Sequence, residues 1–366
     1  MSTPFAIRPA TSADNSAILS LIGSPQPSNG VQFAFERTPD YFQSALVSHQ
    51  KPHTLVVERR SDNAVVAMLN LGVRDVFVDG TAQTIRYGSD LRIAPEYQGS
   101  RVLIYINRAV KECIQDTWYQ SVILEENEKS RGALEGGRAG LPIFKPMGGI
   151  VTHTITGCKQ ASSASSKRVR KALVTDIPAM NRFIQDMAAH YQFLPAYNFW
   201  DIEAGLPYFN GLRISDFLVL IDSDNDVCGL VGLWNQKSFK QTRVVDYSRS
   251  VAMFRPFYNA WSSFRGGFIL PAKGKTFDYY ALHSPLTHPR DSDAFRDLLH
   301  SAWQHVIERG SRAMTLTLSN EDPRCAVLDE FRTIPLKATQ YTVAFKDEFQ
   351  PVLDSHRIPY FESGRL

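Results

Sequence analysis

Residues 87–114, YGSDLRIAPEYQGSRVLIYINRAVKECI, decide the fold. Leu91-Arg92-Ile93 closes a strand, and Pro95 in the following turn denies the ladder a donor. From Arg101 onward, Val102, Ile106, Ala109, Val110 and Cys113 fall at helical spacing. A helix that starts just after Gln98-Gly99-Ser100 leaves its first N–H groups without intrahelical partners. Those donors coincide with the positive end of the helix dipole, which makes the turn a seat for an anion.

Outward from this stretch the pattern continues as mixed strand and helix. Residues 6–9 read as an edge strand, and Thr11, Ser12 and Asp14 offer caps for a helix whose apolar face is Ala17, Ile18, Leu21 and Ile22. Strands are predicted at 54–59, 64–73 and 76–93, then at 121–125 and 149–156. A polar helix over 126–134 and a loop at Gly136, Gly137 and Gly140 lie between the last two. GCKQASSASSK, 157–167, reads as a linker.

After the linker the chain begins again. Val169-Arg170-Lys171-Ala172, with Asp176, Ala179 and Ile184, answers Ile7-Arg8-Pro9-Ala10, with Asp14, Ala17 and Ile22, at an offset of 162 (169 minus 7). Asp224, Asn225 and Val227 answer Asp62, Asn63 and Val65 at the same offset. A constant offset over this span predicts an internal repeat. Further on, Pro285 is expected to answer Pro95, an offset of 190 (285 minus 95), which implies 28 inserted residues (190 minus 162). The insertion falls within 235–277 and carries Phe254, Phe257, Tyr258, Trp261, Phe264 and Phe268, expected to pack in the core or line an acceptor pocket. Beyond it, a strand at 277–282, an amphipathic helix at 293–309, a strand at 314–318, a helix at 322–331 and a last strand at 339–345 are predicted.

A chain of 366 residues is expected to form two domains. The formal charge is +3 with both signs interspersed, so no nucleic-acid partner is expected. Cys113, Cys158, Cys228 and Cys325 show no metal or redox spacing, and no metal is expected. With no signal pattern and no run near the roughly 18 apolar residues of a span, a cytoplasmic protein without a membrane partner is expected.

The run Leu91, Ile93, Pro95, Glu96, Tyr97, Gln98, Gly99 resembles the acyl-CoA signature of the GNAT superfamily of N-acyltransferases, in which a strand ending L-x-V/I-x-P leads into Q/R-x-x-G-x-G/A. The order of elements over about the first 157 residues resembles that fold, and the order reappears in the second copy. The resemblance implies an α+β protein: two tandem GNAT-like domains, each a mostly antiparallel twisted sheet flanked by helices. The boundaries would be 1–157 for an acyl-CoA-binding domain, 158–168 for a linker, 169–346 for a second domain and 347–366 for a C-terminal tail. Between Pro285 and Phe295 no Q/R-x-x-G-x-G/A occurs, so only the first copy is expected to bind CoA.

The resemblance further implies acetyl transfer from acetyl-CoA to an amine acceptor by direct attack. It places CoA on Leu91, Arg92, Ile93, Gln98, Gly99, Ser100, Arg101, Val102 and Leu103, with Asn127 near the start of the next helix. A common family base falls at Tyr87, and Asp90, Glu125 and Glu126 are the nearest carboxylates; Tyr87, Asp90 and Glu125 are the catalytic candidates. Two departures stand out. Arg101 and Leu103 occupy the signature's small positions, and no tyrosine lies between Tyr119 and Tyr191 to serve as the family's acid. Tyr279, Tyr280 and His283 of the second copy could substitute. The departures keep two alternatives open: a non-catalytic GNAT-fold module, or a tRNA-dependent aminoacyl transferase.

Overall fold

The computed structural model describes residues 4–25, 30–126, 141–159, 168–264 and 267–366. The first half contributes β1 (Phe5–Pro9), α1 (Asn15–Ile22), β2 (Val31–Glu36), α2 (Tyr41–Ser48), β3 (Thr54–Arg59), β4 (Ala64–Val78), β5 (Thr81–Ile93), α3 (Val102–Ile114), β6 (Trp118–Leu124) and β7 (Ile143–Cys158). The second contributes β8 (Val169–Lys171), α4 (Ile177–Met187), β9 (Tyr191–Gln192), β10 (Leu194–Pro195), α5 (Trp200–Glu203), β11 (Phe217–Ile221), β12 (Val227–Trp234) and β13 (Gln241–Tyr247). It continues with α6 (Arg249–Phe264), β14 (Tyr280–Thr287), α7 (Ser292–Glu308), β15 (Met314–Ser319), β16 (Phe331–Ala344) and β17 (Ile358–Pro359).

Each half opens on the same small device. Asp14 takes Arg8 on both carboxylate oxygens at 2.8 Å and accepts the Thr11 N–H at 2.8 Å, which caps the turn into α1. Asp176 does the same with Arg170, at 2.7 and 2.8 Å, and with the Leu173 N–H at 2.8 Å. The hairpins that follow turn on Asn63 (φ 59°) and Asn225 (φ 64°), a left-handed position that asparagine tolerates.

The repeat extends to register. Ala67, Met68, Asn70, Leu71 and Gly72 of β4 face Ile93, Arg92, Ser89, Gly88 and Tyr87 of β5. Gly229, Leu230, Gly232, Leu233 and Trp234 of β12 face Thr287, Leu286, His283, Leu282 and Ala281 of β14. Both ladders skip two residues of the second strand, and the bulges carry positive φ at Asp90 (53°) and Ser284 (48°). The true offset here is 194 (284 minus 90), so the insertion is 32 residues (194 minus 162), and Pro289, not Pro285, answers Pro95. Pro285 sits inside β14 at the bulge, where a missing N–H is tolerated.

The sheet runs β1-β3-β4-β5-β6-β16-β7-β15-β14-β12-β11-β8, with β10 paired to β4. The two halves thus exchange their last strands. β16 lies along β6 of the first half, and β7 lies along β15 of the second. Two mixed sheets become one, and neither half could leave without exposing an unpaired edge. On one face α3 packs Val102, Ile106, Val110 and Ile114 over β3–β6, and α1 and α2 cover the other. In the second half strand alternation divides the core likewise: Leu218, Leu220, Val231 and Leu233 meet α7, while Phe217, Val219, Leu230 and Trp234 meet α4.

Two segments depart from expectation. The aromatic insertion forms β13, paired with β2 of the first half, followed by α6, whose Phe254, Phe257 and Phe264 lie outside any core. Residues 347–366 are no peripheral tail: Tyr360, Phe361, Glu362, Ser363 and Arg365 are buried between the halves.

Candidate functional site

β5 and β6 run parallel only from Arg86–Tyr119 through Gly88–Ser121, then diverge. β14 and β15 pair at Tyr280–Met314 and Ala281–Thr315, then diverge too. Each half therefore has a wedge between two parallel strands, with a bulge on one wall.

The second wedge holds the chain's own end. Ser363 Oγ lies 3.3 Å from Leu282 O on β14 and 3.5 Å from Thr315 O on β15, and its one proton can go to either. The bulge N–H of Ser284 donates to Glu362 Oε2 at 2.8 Å. Tyr360 adds its hydroxyl to the same oxygen at 3.1 Å. Burial pushes the Glu362 carboxyl up to about 7, against the opposing pull of the Ser284 N–H and Arg365. His283, a possible acid on sequence grounds, is packed among Tyr197, Phe209, Phe217 and Trp234, and burial first, then Arg365, holds its imidazole neutral.

Around the first wedge the charged groups converge. Asp90 lies 3.7 Å from Arg37 and accepts Tyr41 Oη at 3.3 Å. Burial works to raise its pKa, but Arg37, Arg92, His49 and Lys240 outweigh it and hold Asp90 below the usual carboxylate range. Lys240 Nζ donates to Gly364 O at 3.2 Å; burial, then Arg37, pulls its ammonium well below the ordinary lysine range. Arg92 Nη1 donates to Leu91 O at 2.9 Å, while Arg92 Nε and Ser89 Oγ are buried without a partner among the described residues. Arg37, Arg92 and Lys240 carry no motif, and sequence reasoning passed over Arg37 and Lys240 because the charges meet only through the fold.

Tyr87 is not placed to act as a base. It is 3 % exposed, with the Arg74 guanidinium 3.4 Å from its ring centre, and burial raises its phenol further from neutrality. Glu125 follows the end of β6, its N–H bonded to Lys337 O on the exchanged strand at 3.0 Å. Asn127 lies outside the described residues, as do Gly136, Gly137, Gly140 and most of the expected helix and linker.

At the turn, Gln98 Nε2 reaches Ile93 O at 3.4 Å, and Ser100 Oγ donates to Tyr97 O at 2.6 Å and accepts the Val102 N–H at 3.3 Å. Gly99, at φ 78°, has no atom within 4 Å of where a Cβ would stand. Arg101 is exposed at the start of α3. Val102 is fully buried, and the half-buried Leu103 packs against the α3 core with Leu91 and Ile93.

No protein-family model and no curated protein matches the sequence. Solved structures do. N-myristoyltransferase of Saccharomyces cerevisiae with bound myristoyl-CoA matches at 12% identity and a TM-score of 0.57, over 93% of this chain and 83% of that one. A GCN5-related N-acetyltransferase from Sphaerobacter thermophilus matches at 14% identity and a TM-score of 0.58, over 98% and 99%. The shared register of the two bulged strand pairs and these likenesses agree: the chain has the GNAT fold, repeated in tandem.

Proposed function

We propose that the protein is an N-acyltransferase that uses acyl-CoA, with acetyl-CoA as the donor, and that its first half carries the reaction. The observation behind this is the pair of equivalent bulges. In the second wedge the bulge N–H already grips a carboxylate oxygen. The Asp90 N–H holds the same position in the first wedge and would receive the thioester carbonyl there. A donor fixed on a strand needs no reorganisation as charge develops on that oxygen. The CoA pyrophosphate would lie at Gln98 to Leu103, on the N-terminus of α3.

The acceptor amine attacks the thioester carbon directly, and the thiolate leaves. A thiol pKa of about 8.5 makes acid assistance dispensable, which suits the absence of the family's tyrosine. Lys240, whose Nζ reaches Gly364 O within the charge field of Asp90 and whose ammonium is destabilised by burial, is the group we assign to take the amine's proton, in place of Tyr87. A short acyl group is favoured by close packing where β5 and β6 meet, since a Cβ on Gly88 would stand 2.8 Å from the Tyr119 ring. The second half takes no CoA in this reading, since Glu362 and Ser363 occupy its wedge.

Calorimetry with acetyl-CoA and with myristoyl-CoA tests the reading. Acetyl-CoA should bind once per chain, with a Kd in the range of about 1 μM to 1 mM typical of enzyme substrates. Binding of neither would overturn the function, and a preference for myristoyl-CoA would overturn the acetyl assignment. Arg101 tests the phosphate seat. Its exposed guanidinium should cover the pyrophosphate, so Arg101→Ala and Arg101→Gly should each weaken CoA binding by about 1.5–3 kcal/mol. Tighter binding by the glycine variant would show that the arginine obstructs the seat.

A further inference from the structure

α6 is an amphipathic helix turned outward. Its body-facing positions are Val251, Arg255, Asn259 and Ser262, and three of those four are polar. Hydrogen bonds, not apolar packing, fasten it. Arg255 Nε donates to Leu270 O at 3.1 Å, Asn259 bonds both the C=O and the N–H of Leu270 at 2.9 Å, and Ser262 Oγ donates to Phe268 O at 2.6 Å. The opposite face carries Met253, Phe254, Phe257 and Phe264, which are 64, 65, 74 and 91% exposed. Tyr258 and Trp261 flank that face, half exposed, with ring centres 6.4 Å apart. Surface helices ordinarily bury this stripe, and an apolar patch left on a surface marks an interaction site.

The helix and the loop after it carry charge of one sign. From Ser248 to Phe277 the sequence holds Arg249, Arg255, Arg265, Lys273 and Lys275 and no aspartate or glutamate. Arg249, Lys273 and Lys275 are exposed, and the nearest carboxylate before the helix, Asp246, pairs with Lys273 at 3.0 Å. The helix has 16 residues, about 24 Å at 1.5 Å per residue, and no helix among the described residues is long and apolar enough to cross a membrane. An outward aromatic face on a helix too short to span, in a stretch whose charges are all cationic, is the arrangement of helices that lie in a bilayer's headgroup layer.

We propose that α6 docks the protein flat on a membrane surface rich in anionic lipid, with Met253, Phe254, Phe257 and Phe264 inserted and Arg249, Lys273 and Lys275 against the headgroups. The expectation of no membrane partner rested on the length of apolar runs, which speaks only to spanning helices. Sedimentation of the full chain with vesicles tests this, using phosphatidylcholine alone and phosphatidylcholine with about one-third phosphatidylglycerol. The protein should bind the anionic vesicles at least about tenfold more tightly than the neutral ones, and more weakly as salt rises. The double variant Phe254→Ser/Phe257→Ser should lose about tenfold or more of that binding while its thermal midpoint and acetyl-CoA titration stay unchanged. No binding to anionic vesicles, or equal binding by the variant, overturns the proposal. So does a wild-type dimer in sedimentation velocity that the variant abolishes without vesicle binding, which would make the face a contact between copies.

Discussion

Changing Asp90 to alanine should cost the folded protein about 3–5 kcal/mol, because it strips a buried carboxylate from the cations gathered on it. Arg37 is 5% exposed, Asp90's own side chain 11%, and Lys240 and Arg92 lie within the same field. Asparagine at this position keeps the volume and the left-handed backbone at φ 53° but not the charge. It should therefore fall short of the wild type by most of the same amount, and alanine should trail asparagine by about 1–2 kcal/mol more. Urea midpoints of the three proteins would read both steps. The pH dependence has a definite sign. Asp90 is held below its unfolded value, so its contribution is present above an unfolded pKa of about 3.9 and is lost as pH falls through the folded value. The gap between wild type and Asp90→Asn should close in acid. Equal midpoints at neutral pH would mean that the carboxylate does not organise the wedge. Initial rates should fall with the variant even at temperatures where it stays folded, since Arg37 loses the anion that fixes it beside the bulge.

What could be read from the sequence follows from how locally each feature is encoded. The two Arg–Asp openings, Arg8 with Asp14 and Arg170 with Asp176, involve residues six apart, so one short pattern specifies each and the offset exposed them. The hairpins at Asn63 and Asn225 and the turn at Gln98 to Ser100 are local in the same sense. The bulge was half legible. Pro285 looked like the partner of Pro95, but a bulge accepts a proline that a regular ladder would reject, and the true counterpart Pro289 lay four residues on. The strand exchange was not legible at all, because an alternating run such as β16 fixes which face is buried and says nothing of which strand it lies beside. The same limit hid the burial of 360–365. Glu362 and Arg365 look like ordinary surface charges until the fold supplies Ser284 N–H, Tyr197 Oη and Tyr208 O as their partners. For α6 the aromatic content was visible, but its direction was not: only the hydrogen bonds of Arg255, Asn259 and Ser262 show which side faces the body.

Glu362→Gln should be less stable than the wild type by about 1–3 kcal/mol at pH 4 and should draw level with it or overtake it at pH 8. Glu362 is 2% exposed, and burial lifts its pKa to about 7 from the usual 4.5. An acid whose folded pKa is raised ionises first in the unfolded chain, so between these two values the unfolded state holds fewer protons and stability falls as pH rises. At 1.36 kcal/mol per unit the full loss is about 3 kcal/mol above pH 7. The glutamine carbonyl can keep the Ser284 N–H, which ties the segment to the bulge, and the Tyr360 hydroxyl within the segment. Its amide N would replace Glu362 Oε1, which is buried without a partner among the described residues, so an unsatisfied donor returns about 1–3 kcal/mol of the gain. The net gain at pH 8 should then be at most about 2 kcal/mol, read from urea midpoints between pH 4 and pH 8, and the wild type's decline over that interval should be flatter in the variant. A variant that loses stability at pH 8 would show instead that the ionised carboxylate is the preferred guest of the bulge N–H. Glu362 would then mark how strongly such a wedge can hold a negative oxygen, and the same strength would be expected at Asp90 N–H in the first half, where the thioester oxygen becomes an anion.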